Sequence, residues 1–423
     1  MANRTRLVKR WKGFAPTGWL ARIARDVEFG ERNRLLVPSR FFWVLVLAPL
    51  VLGERTFAGL ARLFTAMTGL PVTDSAVQER FSDATARFMR RAYEGITRRI
   101  WYRVGTELKG VLARFKDLTL IDSTVLRLRE FLAKKFPASR TNHTKAAAKM
   151  HTVMSLKKGQ VEKMLVTAET VNDSKAFEIG PWAEARLLLF DLGYFSWALF
   201  ARIGKEHGYF ISRLKSSCNG VVKEVRRGMR GPVGSIGLKL KECIAQGPVS
   251  DLDVEYGQGK KRIILRTICI WDPHTREEHW YVTNLSPKEF SAEEIAELYR
   301  LRWQVELLFK ELKSDVAIDD LRSKREEVIL CHIYAALITL MLSRFLCAEA
   351  ARWADIDIDN LVPRLVTKTL RCLAPLLGKA AVTQGPRGLE QVLELILETI
   401  AIHAVEPNPG RPGAFRKQQK RRA

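Results

Sequence analysis

Leu118-Thr119-Leu120-Ile121-Asp122-Ser123-Thr124 is an apolar run that ends on an aspartate. A short apolar run with β-branched members reads as a buried strand. Arg186-Leu187-Leu188-Leu189-Phe190-Asp191 repeats the pattern further along the chain. Between them, residues 150–156 and 161–167 alternate around Lys157-Lys158-Gly159-Gln160, which predicts a hairpin. Residues 177–185 and 195–207 have helical patterns, and 208–215 reads as another strand. Three strands, helix, strand, helix and strand fit an α/β domain with a mixed sheet. If the two aspartate strands are neighbours, Asp122 and Asp191 meet at one edge of that sheet. A strand-ending aspartate also commonly serves as a turn residue or helix cap, and that alternative stands for each taken alone.

The stretch Tyr299-Arg300-Leu301-Arg302-Trp303-Gln304-Val305-Glu306-Leu307-Leu308-Phe309-Lys310-Glu311-Leu312-Lys313 supplies a third acid. At about 100° per residue, Tyr299, Arg302, Glu306 and Lys313 fall within about 60° of one another on one helix face. Leu298, Val305, Leu308, Phe309 and Leu312 form a core-facing stripe beside them. The plain alternative is a surface helix with an Arg302–Glu306 pair at i,i+4. Glu311 and Asp315 are rival acids that face other directions, and Asp173 is a rival in the turn-like context Asn172-Asp173-Ser174. Phosphodiester cleavage by water needs an activated nucleophile and a stabilised leaving oxygen, which two divalent ions held by carboxylates supply. Hard oxygen ligands suit Mg²⁺.

The chain has 423 residues and a net charge of +24. That length predicts two or three domains. The basic excess favours a polyanionic partner, nucleic acid above all. Six cysteines without a Cys-x-x-Cys pair argue against a zinc ribbon or a disulfide framework. Residues 41–52 are apolar but too short to cross a bilayer, and 329–348 read as a buried core helix. No secretory signal is evident at the amino terminus. The seven histidines form no metal motif, and no phosphate loop of the nucleotide-binding type occurs, so neither membrane nor nucleotide cofactor is expected.

Residues 1–40 carry ten Lys/Arg against three acids, with Trp11 and Trp19, and read as either a basic arm with aromatic anchors or a solvated leader. Helix 57–64, the Gly69-Leu70-Pro71 break and the polar segment 73–81 outline a helix-turn-helix, although helical hairpins share that outline. Residues 407–423 hold three prolines, two glycines, six Lys/Arg and no acid, the composition of a disordered basic tail.

The spacing Tyr299-x2-Arg302-x3-Glu306-x6-Lys313, with Trp303 after the arginine, resembles the signature of the insertion-sequence-4 family of bacterial DDE-type transposases. Ile121-Asp122-Ser123-Thr124 and Asp191-Leu192-Gly193-Tyr194-Phe195 are similar to the family's two aspartate contexts, and Phe210-Ile211-x-Arg213-x-Lys215 to its following strand. The resemblance covers roughly residues 115–345. It implies a ribonuclease H-like α/β catalytic domain with a strand-rich insertion, preceded by a helical DNA-binding region. The corresponding boundaries are 1–112 for a basic DNA-binding region with the helix-turn-helix-like segment, 113–217 for the first part of the core and 218–285 for the insertion. The second part of the core with the C-terminal helices takes 286–400, and the basic tail 401–423.

It further implies Asp122, Asp191 and Glu306 as catalytic residues and ligands of two Mg²⁺, with Mn²⁺ an acceptable substitute. Tyr299, Arg302 and Lys313 then contact transposon-end DNA, and Trp280 in the insertion is the counterpart of a tryptophan that holds a flipped base, unless it is simply packed in the core. The implied function is cut-and-paste transposition at terminal inverted repeats. The implied partners are double-stranded transposon ends and target DNA, with a homodimer in the paired-end complex and a cytoplasmic, nucleoid-associated location. The other reading is a catalytically inactive, sequence-specific DNA-binding protein derived from a transposase.

Overall fold

The computed structural model describes residues 2–30, 35–99, 110–139, 144–230, 235–245, 247–259, 262–272, 276–319 and 321–405. The basic tail expected at 407–423 lies outside the described residues. The chain divides into two compact units. A helical unit takes Met1–Val104, Arg127–Leu132 and Phe309–Ala423, and a mixed unit takes Gly105–Leu126 and Ala133–Leu308.

In chain order the helices are α1 (Ala2–Phe14), α2 (Thr17–Asp26), α3 (Pro38–Val51), α4 (Phe57–Thr68), α5 (Asp74–Glu79), α6 (Asp83–Arg99), α7 (Trp197–Lys205), α8 (Ala292–Arg300), α9 (Trp303–Ser314), α10 (Glu326–Trp353), α11 (Pro363–Thr383) and α12 (Pro386–His403). The strands are β1 (Asp117–Leu128), β2 (Ala146–Ser155), β3 (Gln160–Ala168), β4 (Arg186–Phe190), β5 (Tyr209–Arg213), β6 (Val221–Arg227), β7 (Met229–Arg230), β8 (Ile244–Ala245), β9 (Val249–Tyr256), β10 (Ile263–Asp272) and β11 (Glu277–Thr283).

The helical unit is organised around α3 and α10. Both are apolar on all sides, and such helices must be enclosed. Every residue of α3 from Phe41 to Leu50 is buried. Among the described residues α10 alone is long and apolar enough to cross a membrane, and 89% of that stretch is buried inside the structure. Gly378 of α11 allows close approach here, since a Cβ would come within 2.9 Å of Met67 and 3.0 Å of Leu47. The amino-terminal segment is neither an arm nor a leader. Trp11 is buried and stacks on Trp43 at 5.1 Å, and Arg10 reaches the buried Glu349 carboxylate at 2.7 Å. Lys9 and Lys12 of α1 and Arg22 and Arg25 of α2 are exposed. In the helix-turn-helix-like stretch, α4 ends on Gly69 at φ +72°, and Thr73 caps an α5 of only six residues.

The mixed unit is built on a nine-stranded sheet in the order β3-β2-β1-β4-β5-β11-β10-β9-β6. β1, β4 and β5 run parallel, and β11, β10, β9 and β6 continue from β5 as antiparallel neighbours. Strands covered on both faces become continuous apolar runs, which is why Leu187, Leu188, Leu189 and Phe190 follow one another in β4. One face of the sheet packs Ile121, Leu188, Phe190, Phe210 and Val282 against Phe200 and Ile203 of α7. Tyr281, next to Val282 on β11, meets the Tyr299 ring of α8 at 5.2 Å. Successive strand residues point to opposite faces, so α7 and α8 cover the two sides.

Three further expectations need correction. β1 does not end at Asp122 but runs on to Leu128, because Thr124, Leu126 and Leu128 keep a period-two buried pattern. Residues 177–185 form no α-helix: Gly180-Pro181 interrupts them, leaving a 3₁₀ turn at Pro181–Ala183. Nor is 299–313 one helix. α8 stops at Arg300 and α9 begins at Trp303. The joint is tightened by i→i+3 bonds from Leu301, Arg302, Gln304 and Val305 to Leu298, Tyr299, Leu301 and Arg302, which rotates the face computed for an ideal helix.

Phe210 lies under the site-bearing strands and stacks on Phe200 at 4.3 Å. Phe210→Ala is expected to lower unfolding free energy by about 3–5 kcal/mol, measured by denaturant titration. A loss below about 1 kcal/mol would mean this cluster does not hold the sheet.

Candidate active site

The parallel ladder between β1 and β4 pairs Asp117 through Ile121 with Arg186 through Phe190, one to one. Asp122 and Asp191 each come next after its last rung, Ile121↔Phe190. In-register residues on adjacent parallel strands sit about 4.8 Å apart and face the same way. Ile121 and Phe190 point into the α7 cluster, so the two aspartates turn to the other face, the side of α8.

Asp122 is 8% exposed. Its Oδ1 accepts the Ser123 N–H at 2.7 Å and its Oδ2 accepts Arg302 Nη1 at 3.1 Å. Arg302 Nη2 donates to Glu306 Oε1 at 2.5 Å. One guanidinium therefore stands between two of the three acids. Asp191 occupies the cap position of the turn Leu192–Tyr194, yet its carboxylate makes no capping bond. It is a turn residue by its backbone, whose carbonyl accepts the Tyr194 N–H at 3.0 Å, but not a side-chain cap.

Burial is the main force that pushes the Asp122 carboxyl up to about 7, and the negative charges of Asp191 and Glu306 add to it. The Ser123 N–H and Arg302 oppose the shift. Arg302 is held in its charged form by Tyr299, Glu306 and Asp122 against its own burial, and its Nε is buried without a hydrogen-bond partner. This local excess of negative charge on hard oxygens is the donor chemistry that suits a small divalent cation. Among the described residues, no three His, Cys, Asp or Glu side chains are already gathered around a cation position. Arg302 keeps Asp122 and Glu306 to itself.

The remaining expected site residues fall in different settings. Tyr299 is buried, and its hydroxyl donates to the Phe190 carbonyl at 2.9 Å, so it props the residue before Asp191. Lys313 lies in the half of α9 that belongs to the helical unit. Trp280, on β11, is half-buried against the α7 cluster, and its indole N–H donates to Glu278 at 3.1 Å. The rival acids Glu311 and Asp315 are paired inside the helical unit, Glu311 with Arg344 at 2.5 Å and Asp315 with Arg364 at 3.3 Å. Asp173 is different, because it joins Ser123, Lys149 and His151 close to the two aspartates. Sequence reading gave no role to Lys149, His151 or Tyr194. Its one usable signal was Lys149 and His151 at i,i+2 on a strand, hence on one face.

Comparison with known proteins places these acids in context. The family model described as "Transposase DDE domain" matches residues 113–342. The chain is 24% identical over 374 residues to the transposase for insertion sequence element IS231E of Bacillus thuringiensis subsp. finitimus, covering 78% of this chain and 76% of that one. It is 24% identical over 365 residues to the transposase for IS1151 of Clostridium perfringens, with 76% of each covered. A 61-residue stretch, 14% of this chain and 16% of the other, is 48% identical to the putative transposase InsL for IS186A of Escherichia coli.

Asp122 makes a pH prediction. Between its ordinary value of 3.8 and about 7, the folded chain keeps a proton that the unfolded chain has lost. Stability contributed by this group therefore falls as pH rises through that window. In metal-free buffer, Asp122→Asn is expected to melt higher than the parent at pH 8, with the two curves converging toward pH 4. A variant less stable than the parent at pH 8 contradicts the assignment.

Proposed function

The chain belongs to the Transposase DDE domain family and is a DNA transposase of the bacterial insertion-sequence type, and on that premise we propose that Asp122, Asp191 and Glu306 form its strand-cleavage and strand-transfer site. The observation that carries this reading is the β1–β4 register, which sets two acids side by side, together with Arg302, which ties Glu306 to the first of them. These three carboxylates would hold two Mg²⁺, or Mn²⁺ in their stead, which supply nucleophile activation and leaving-group stabilisation when bound.

The chain's own groups prepare that chemistry. The Ser123 N–H fixes one oxygen of Asp122. The Tyr299 hydroxyl fixes the end of β4. Arg302 offers a planar fork, the geometry that suits a phosphate, and engaging DNA would draw it from the carboxylates it now binds. Lys313 would add a point charge toward DNA, whereas Trp280 packs with Val282 on the α7 side of the sheet, the face opposite the two aspartates, which favours a packing role over a platform for an unpaired base. The order β3-β2-β1-β4-β5 with β1, β4 and β5 parallel supports a ribonuclease H-like core, and residues 218–285 supply the strands that continue it. The basic amino-terminal helices would bind terminal inverted repeats. Two copies would act on paired ends, since a site that must cut both strands at an end is kept silent until its partner arrives.

The competing reading is a DNA-binding derivative that has lost catalysis. Glu306→Gln separates the two. It keeps the side-chain shape and removes the charge, and is expected to cut cleavage in Mg²⁺ by more than about 100-fold while end binding changes little. Equal loss of binding and cleavage would make Glu306 only an Arg302 partner. A parent protein that binds ends and never cuts would favour the inactive derivative. Binding should also weaken at least about 10³-fold between about 50 and 200 mM salt, because a +24 chain that contacts many phosphates releases counterions. A flat response in an anisotropy titration removes the charge argument.

A further inference from the structure

Asp173 lies where four groups of the mixed unit meet. Its Oδ1 accepts the Ser123 hydroxyl at 3.1 Å and takes Lys149 Nζ and His151 Nδ1 at 3.3 Å each. Its Oδ2 packs on Gly193, where an added Cβ would come within 2.7 Å. The fully buried His151 extends the chain of bonds, with Nδ1 at 2.9 Å from the Tyr194 hydroxyl and Nε2 at 2.9 Å from Thr167 Oγ1. Capping of the local turn falls to Asn172, whose side chain accepts the Ser174 N–H at 3.0 Å. The Asp173 carboxylate is thereby available for longer-range partners.

Those partners have one thing in common. Ser123 follows Asp122 and its N–H holds Asp122 Oδ1. Gly193 and Tyr194 belong to the turn that Asp191 opens. A single carboxylate thus bonds the residue after the first acid, lies against Gly193 of the turn after the second, and reaches Tyr194 of that turn through His151.

We propose that Asp173 is a positioning residue for DNA cleavage, fixing Asp122 and Asp191 relative to each other through Ser123 and through the Gly193-Tyr194 turn; this rests on the reading of Asp122 and Asp191 as catalytic acids. Lys149 balances the Asp173 charge, so the grip adds no net negative charge beside the acids. The absence of a side chain at Gly193 is part of the device, because an alanine there would push into Asp173.

The test uses the full-length protein, a duplex carrying the inverted repeat that flanks its gene, and Mn²⁺ as probe. Asp173→Asn, Ser123→Ala, Gly193→Ala and Asp122→Asn are each compared with the parent. Cleavage is titrated with Mn²⁺, ion uptake by the protein–DNA complex is read from the free Mn²⁺ electron paramagnetic resonance signal, and melting is recorded in parallel. Asp173→Asn is expected to raise half-saturating Mn²⁺ about 10-fold or more in both readouts, as loss of an outer partner of a ligating carboxylate does, with end binding little changed. Ser123→Ala and Gly193→Ala should move it the same way. Gly193→Ala added to Asp173→Ala should cost nothing further, because residues in contact are non-additive. An unchanged Mn²⁺ titration, whether Asp173→Asn behaves as the parent or only melts lower, overturns the proposal while Asp122→Asn is inactive. If Asp122→Asn cleaves at the parental rate, the catalytic reading itself fails and this one falls with it.

Discussion

The in-register parallel pairing of β1 with β4 is the constraint on which the site depends. Parallel ladders are insensitive to side-chain identity but strict about register, because a slip of one residue turns every side chain to the opposite face. Here the register is locked by the alternation of the two strands. Ile121 and Phe190 enter the α7 cluster, and Asp122 and Asp191 emerge on the far side. The sheet itself does the placing. Neither aspartate relies on a flexible loop to find the other, and the Tyr299 hydroxyl on the Phe190 carbonyl pins the shorter strand from the side of α8.

What the strands bring together is electrostatically unfavourable. An aspartate that is mostly buried beside two further carboxylates, answered by one arginine with an unmet Nε donor, is not an arrangement that stability alone would select. Buried ion pairs recover little of their desolvation cost unless every donor and acceptor is served. Two other buried clusters are served more fully. Arg266 is buried and gives bonds to Asp251 and to the carbonyls of Leu285 and Phe290. Glu311 takes both Arg344 and the Thr367 hydroxyl. Arg186, which bridges Asp117 and Glu162, also leaves its Nε unserved, so what sets the Arg302 cluster apart is the upward push on the Asp122 carboxyl beside two further acids rather than the unmet donor alone.

Much of this was legible in the residues. Leu118–Ile121 and Arg186–Phe190 announce themselves because buried parallel strands must be apolar on both faces, and the acids that follow them stand out against that background. The joint at Leu301-Arg302 was not legible. An angle at constant pitch cannot register a tightened turn, and so Tyr299 is expected on the same DNA-contacting face as Arg302 although it is buried with its hydroxyl on the Phe190 carbonyl. The basic amino terminus misled for a related reason: counting charge over 1–40 hides that Trp11 and Phe14 of α1 and Leu20 and Ile23 of α2 are buried. Asp173 was visible only as an acid in a turn. Its bond to Ser123 spans fifty positions, and no local pattern carries that distance.

The way β11 joins the sheet has a consequence of another kind. Tyr281, Val282 and Thr283 pair with Arg213, Ser212 and Ile211, so the strands between residues 218 and 285 close what would otherwise be the open side of β5. An uncovered strand with Phe210 and Ile211 at its centre is a template for association with other chains. A copy of the gene shortened by loss of this segment would therefore not yield a smaller, milder enzyme. Its product would be prone to aggregate, which ties the survival of the segment to solubility as firmly as to any contact it makes with DNA.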